Sequence, residues 1–286
     1  MRAQVTLTPT ESKKLIAKAV VQMAEVRRAR EGGLVVLHPS SSTYFVVEEL
    51  TGRAPGTDIW VCGVIVPKGA CLEAAPASRA PGLAGKPPEE FTHSWVVKDG
   101  ALTTGLSLKD IFEQMGPGDV YVKGVNALDS EGTVGILIGS LVEGGTIGRV
   151  LAASRRKGFP IVFPVGLEKL IPIPVKEAAR EARKNQCDYA MGIACGLLPC
   201  RGLAVTEVKA IEILSGATAT PIAAGGLAGA EGSVLLAIRG EKEQVSRAIE
   251  FVEQCKGAQL PQARTLKCEV CGAPLCNFPV KNKPWA

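Results

Sequence analysis

Four consecutive hydroxyl side chains, Ser40, Ser41, Ser42 and Thr43, follow His38-Pro39 directly behind the apolar run Leu34–Leu37. A strand ending there and passing into a helix over Tyr44–Leu50 presents hydroxyls, free backbone N–H groups and a positive helix end. That combination suits a phosphate or a carboxylate. One hydroxyl is enough to cap a helix, so four in a row point beyond capping to an anion site. His38 is either a general base there or a structural residue at a strand end. A second polar run, Lys123-Gly124-Val125-Asn126-Ala127-Leu128-Asp129, leaves the carboxyl end of an expected strand over Asp119–Lys123. Open α/β sheets bind ligands at such ends. Lys123 would offset the anion's charge; Asp129 and Glu143 would serve as acid and base on a carbon acid, with Asn126 beside them. Gly144, Gly145 and Thr146 supply another backbone entry to a helix. The competing reading makes Asp129-Ser130-Glu131-Gly132 a solvated turn.

The third constellation is made of thiols. Cys268-x2-Cys271-x4-Cys276 places three cysteines within nine residues of the tail. Two sulfurs in CxxC spacing reach one tetrahedral ion, so zinc is one expectation and an iron–sulfur cluster the other. A fourth ligand would come from Cys255, Cys195, Cys200 or a histidine. Cys195 and Cys200 flank a Leu-Leu-Pro turn whose spacing is not that of a thioredoxin-type pair. A structural role suits them better. The Glu168-Lys169 pair reads as a solvated turn, and Gly225–Gly232 as a hairpin connection.

The elements that must hold these groups alternate. Thr8-Pro9-Thr10-Glu11 combines a capping hydroxyl, an early proline and a carboxylate three residues on, predicting a helix that ends at Gly32-Gly33. Strands are expected at Leu34–Leu37 and Ile59–Val66, with a long loop over 74–90. Further on, a helix at Leu108–Met115, the strand at Asp119–Lys123 and a helix through Arg155 follow. A strand at Phe159–Val165 and a helix at Val175–Lys184 then close a first domain. Tyr189–Cys195, Thr206–Leu214, Ala217–Ala224, Ser233–Arg239 and Lys242–Cys255 read β-α-β-β-α, the opening order of a ferredoxin-like sandwich. The expected architecture is α/β: a Rossmann-like open-sheet domain over 1–185, a smaller ferredoxin-like domain over 186–257, and a linker with a cysteine-bearing tail over 258–286.

Composition bounds the function. The 286 residues carry 33 Lys and Arg against 28 Asp and Glu, a net charge of +5 with no long basic run. Nucleic acid is therefore not the expected partner. Apolar residues make up 46% but aromatics only 5%, so aliphatic side chains build the core and disorder is excluded as the dominant state. Met1–Leu7 lacks the apolar core of a secretory signal, and Ala217–Ile238 is too glycine-rich to span a bilayer. Nine unevenly spaced cysteines do not form a secreted disulfide framework. A cytoplasmic chain without membrane attachment is expected; a homo-oligomer is left open.

Over about residues 10–170 the chain resembles the superfold shared by ribose-5-phosphate isomerase, glucosamine-6-phosphate deaminase, methylthioribose-1-phosphate isomerase and the CoA transferases. The Ser40–Thr43 turn before Tyr44–Leu50, and Val122–Val134 with Gly144–Gly158 behind it, carry the likeness. Gly124-Val125-Asn126, Glu131-Gly132 and Gly145-Thr146 stand where those families have glycine-alanine-aspartate, an Asn-Gly turn and a glycine-threonine helix entry. The resemblance implies a phosphorylated sugar or acyl-CoA-type ligand; if the chain is an enzyme, isomerisation by proton transfer is the reaction expected. Asn126 departs from the carboxylate usual there, and Glu143 is the one glutamate that could match the CoA-transferase nucleophile. Two other classes stay open: a metal-binding or redox accessory protein working through its tail, and a ligand sensor without catalysis.

Overall fold

The computed structural model describes residues 1–55, 64–67, 69–71, 94–139, 141–261, 267–268 and 276–278. In chain order its first elements are β1 (Arg2–Leu7), α1 (Pro9–Val20), α2 (Ala24–Arg30), β2 (Val35–His38), α3 (Ser41–Thr51), β3 (Val64–Val66) and β4 (Gly69–Cys71). The middle holds β5 (Trp95–Lys98), β6 (Ala101–Thr103), α4 (Leu108–Gln114), β7 (Val120–Lys123), β8 (Ala127–Leu128), β9 (Val134–Ile138), α5 (Gly145–Lys157) and β10 (Ile161–Pro164). The last third holds α6 (Val175–Glu181), β11 (Gly196–Cys200), β12 (Leu203–Val205), α7 (Glu207–Ser215), β13 (Thr218–Gly225), β14 (Ser233–Arg239) and α8 (Lys242–Cys255).

A mixed six-stranded sheet of order β12-β10-β7-β2-β5-β6 organises the chain. Its first four strands run parallel, and β5 and β6 continue it antiparallel. Successive side chains of a strand point to opposite faces, and here both sets are apolar. Val35, Leu37, Val120, Val122 and Val162 enter one core with α1, α3 and α7. Val36, Tyr121, Ile161 and Phe163 enter the other with α4 and α5. Strands buried on both faces need continuous apolar runs, which these short segments supply.

The helix begun by Thr8 does carry its capping box. It stops at Val21, however, because Met23 is extended (φ −62°, ψ 145°) and α2 starts a separate segment. Val26 and Ala29 of α2 bury against the sheet instead of prolonging α1. Glu11 of that box reaches further: its carboxylate also accepts from Lys256 Nζ at 2.6 Å and Gly257 N at 2.9 Å, joining the start of α1 to the end of α8.

No strand forms at 189–195. Gly192 sits at φ +83°, and Met191 and Ile193 bond to Ala70 of β4. The strands come later, as β11 and β12. Of the β-α-β-β-α run expected after 186, the last four elements pack together, α7 and α8 lying against β13 and β14. The strand beside β14 is β1, from the opposite end of the chain, while β12 extends the large sheet. Strand pairing thus crosses the expected 185/186 boundary in both directions. β8, β9 and β11 form a further small sheet over the α5 face. Of the expected strand at 59–66 the described part is β3, and the 74–90 loop lies outside the described residues. Among the described residues no helix is long and apolar enough to cross a membrane.

Candidate functional site

β2 and β7 are parallel neighbours, and His38 pairs with Lys123 at their carboxyl ends. Beyond them the chain diverges. β2 feeds α3 on the first face, whereas β7 leads to Val125 and Leu128 in the second core. Neighbouring strands whose outgoing loops part to opposite faces leave a crevice, where α/β sheets take ligands.

The α3 turn lies at that sheet edge. Ser40 is extended, and its Oγ accepts from Thr43 N at 3.2 Å, so Ser40 is the helix cap. Thr43 is fully buried and donates to the His38 carbonyl at 2.7 Å. Those two hydroxyls are occupied in building the turn. Ser42 is different: it is 2% exposed, and its Oγ finds no partner among the described residues. Ser41 is half-buried. A Cβ on Gly124 would lie 2.7 Å from Ser40 Oγ and 3.6 Å from Ser42 Cβ. Only glycine lets the β7 loop come this close to the cap. His38 and Lys123 are buried at the same edge. Ser40–Thr43 and Lys123, expected around one anion, thus lie at one sheet edge, with Gly124 packed against the cap.

The proposed acid–base residues do not join it. Asp129 is buried, and its Oδ1 accepts from Glu131 N (3.0 Å) and Thr133 N (2.8 Å) while Oδ2 accepts from Val175 N (2.9 Å). Burial alone would raise its pKa, but these backbone donors hold it below the ordinary carboxylate value. The turn reading of 129–132 holds for Ser130, Glu131 and Gly132, which are exposed, and fails for Asp129 alone, which is buried. Asn126 spends its Oδ1 on Leu137 N at 3.0 Å. Glu143 lies exposed on the outer side of α5, paired with Arg149 at 3.1 Å and held at φ +51°. Gly148 faces the Glu143 carbonyl so closely that a Cβ would overlap it. Gly144 is left-handed, and α5 opens over Gly145 and Thr146 with no side-chain cap.

A second polar cluster was missed. Glu168 and Lys169 follow β10, and they are not a solvated turn. Lys13 of α1 pairs with Glu168 at 2.8 Å, the two side chains being 9% and 14% exposed. Glu207, at the start of α7, accepts from Leu167 N through both oxygens. Burial raises the Glu207 pKa, and neighbouring Glu168 adds to that, against donors that include Ser12. Burial likewise pushes the Lys169 ammonium down to about 8; Glu168 and Glu207 oppose it and Lys13 adds to it. This cluster occupies the carboxyl ends of β10 and β12, the same sheet edge as Lys123. The available signal was Ser12-Lys13 on the apolar side of a helix.

The thiols divide by burial. Cys200 and Cys255 sit inside the two cores, and burial raises both thiols to about 11. Neither is a ready thiolate ligand, and Cys195 and Cys200 form no disulfide with each other. Cys276 Sγ accepts from Gly192 N at 3.3 Å, and Asn277 exchanges two hydrogen bonds with Ala190. Cys268 is half-buried, and Cys271 lies outside the described residues. Among the described residues no three metal-ligating side chains come together. No protein-family model, curated protein or solved structure matches the chain.

Proposed function

We propose that the chain binds a small molecule carrying a phosphate or carboxylate, of the phosphosugar or acyl-CoA kind, in the crevice between β2 and β7. This treats the parallel part of the large sheet as Rossmann-like, with the ligand at its switch point. The observation that carries the reading is the buried Ser42 hydroxyl, without a partner among the described residues, at the N-terminus of α3 against Gly124. An unsatisfied buried hydroxyl is costly, and an anion held there would receive its proton as well as the helix's free N–H groups. Asn126 and Asp129 are both engaged by backbone donors, which favours binding over proton transfer by those residues. A thermal-shift and calorimetric screen of ribose 5-phosphate, glucosamine 6-phosphate and acetyl-CoA tests it. One ligand should raise the melting temperature, and Ser42→Ala should weaken it about tenfold or more, the worth of one hydrogen bond to a charged group. A ligand bound equally well by Ser42→Ala places the site elsewhere.

A second reading, a zinc or iron–sulfur centre on Cys268, Cys271 and Cys276, draws support from the docked Cys276. A backbone N–H aimed at a sulfur is the kind of outer bond that orients a metal thiolate. Native mass spectrometry of protein purified without oxygen or chelator should then show the added mass of zinc or a cluster. Cys268→Ala/Cys271→Ala should lose it. Bare polypeptide in the unsubstituted protein removes the metal reading.

A further inference from the structure

A cavity of about 390 Å³ opens between α5, α6 and the end of β11. Three cations converge on it from separate elements: Arg155 of α5, Lys176 of α6, and Arg201 just beyond β11. Among the described residues no carboxylate lines it. The rest of the wall is apolar or neutral, with Leu151, Ile161 and Pro199 beside Cys200.

Several other cations of this chain have carboxylate partners among the described residues. Lys14 pairs with Glu48, Lys18 with Glu49, Lys209 with Glu212, and Arg149, on α5 itself, with Glu143. Arg155, Lys176 and Arg201 have no ion pair among the described residues. Lys176 sits in the first turn of α6, where the positive helix end disfavours a cation. Helix stability therefore does not account for its place. Like charges gathered around one concavity repel unless an anion lies among them. Cys200 stays a neutral thiol at physiological pH, so the floor adds no opposing negative charge.

We infer that this cavity is a second anion-binding site, built for a small, multiply charged organic phosphate, with Arg155, Lys176 and Arg201 holding the charge. Two guanidinium groups match phosphate oxygens bidentately, and the aliphatic wall takes the body of the ligand. The volume is within the range of small-molecule sites. Ile161 begins β10, so the cavity meets that strand at its amino end. The β2–β7 crevice is at the carboxyl edge, and the two sites stand independently.

Inorganic pyrophosphate is the probe, titrated calorimetrically into the full-length protein at 150 mM salt. Saturable binding is expected. Each of Arg155→Gln, Lys176→Gln and Arg201→Gln should weaken it about fivefold, as expected for one partly screened charge contact, and the triple variant should abolish it. All three side chains are exposed, so these variants keep the fold, and unchanged melting curves check that. Ser42→Ala should bind pyrophosphate like the unsubstituted protein. Absence of saturable binding, or binding that survives the triple variant, overturns the site. So does loss of binding in Ser42→Ala, which moves the anion to α3, or an equal loss when the remote cations Lys209 and Arg239 are substituted.

Discussion

Asp129→Ala should lower stability by about 3–4 kcal/mol, because three backbone donors lose one acceptor group together. The Val175 donor is fully buried and has no water to turn to, while those of Glu131 and Thr133 are partly buried. At roughly 2–4 °C per kcal/mol for a chain of this order, the melting temperature should fall by about 10 °C. Asp129→Asn keeps one carbonyl oxygen and should lose about half as much. Urea and thermal melts check both. A loss below about 1 kcal/mol, the range of ordinary surface positions, would show that the carboxylate does not hold α6 to the β8–β9 turn. The pH dependence has a definite sign. The folded pKa lies below the ordinary 3.8, so the unfolded chain binds the extra proton first. The stabilisation is complete above the ordinary value and is lost as pH falls through the folded one. Between pH 5 and pH 3 the unsubstituted protein should therefore lose more stability than Asp129→Ala does.

Lys13→Met should cost about 3–5 kcal/mol, the usual penalty for stripping one partner from a buried ion pair. Glu168 would keep a buried carboxylate whose Oε2 already has no partner among the described residues. The double variant Lys13→Met/Glu168→Leu should recover most of the loss, since an apolar pair of similar volume carries no desolvated charge. A double variant as unstable as Lys13→Met would mean that packing, not charge, is what Lys13 supplies. Lys169 adds a second signature. Its folded value near 8 lies below the ordinary 10.5, so the unfolded state holds more protons between them and stability rises with pH across that window. Removing Lys13 takes away one of the charges that depress Lys169. The rise should be shallower in Lys13→Met, as denaturant melts from pH 7.5 to 10.5 will show.

Local chemistry was readable wherever a few adjacent residues decide it. The capping box at Thr8 and the extents of α7 and α8 all rest on effects within one or two helical turns. β1 was not expected, although Ala3, Val5 and Leu7 alternate with Arg2, Gln4 and Thr6. Its strand partner, though, lies more than 220 residues away, and nothing local names that partner. The same gap explains the errors in the site. Asp129 looked available because Val175 is 46 residues off; Glu168 looked solvated because Lys13 comes 155 residues earlier.

By itself the sequence determined that this is an α/β chain with a hydroxyl-rich turn behind a buried strand, since periodicity, capping and turn chemistry are short-range effects. Only the tertiary structure decided which polar groups share an edge. Residues 38, 123, 164 and 205 become neighbours by parallel pairing across long crossovers, and that pairing is selected by burying both sheet faces at once. Whether a carboxylate is a free base or a structural acceptor follows from what the fold brings to it, and Asp129 was brought three N–H groups.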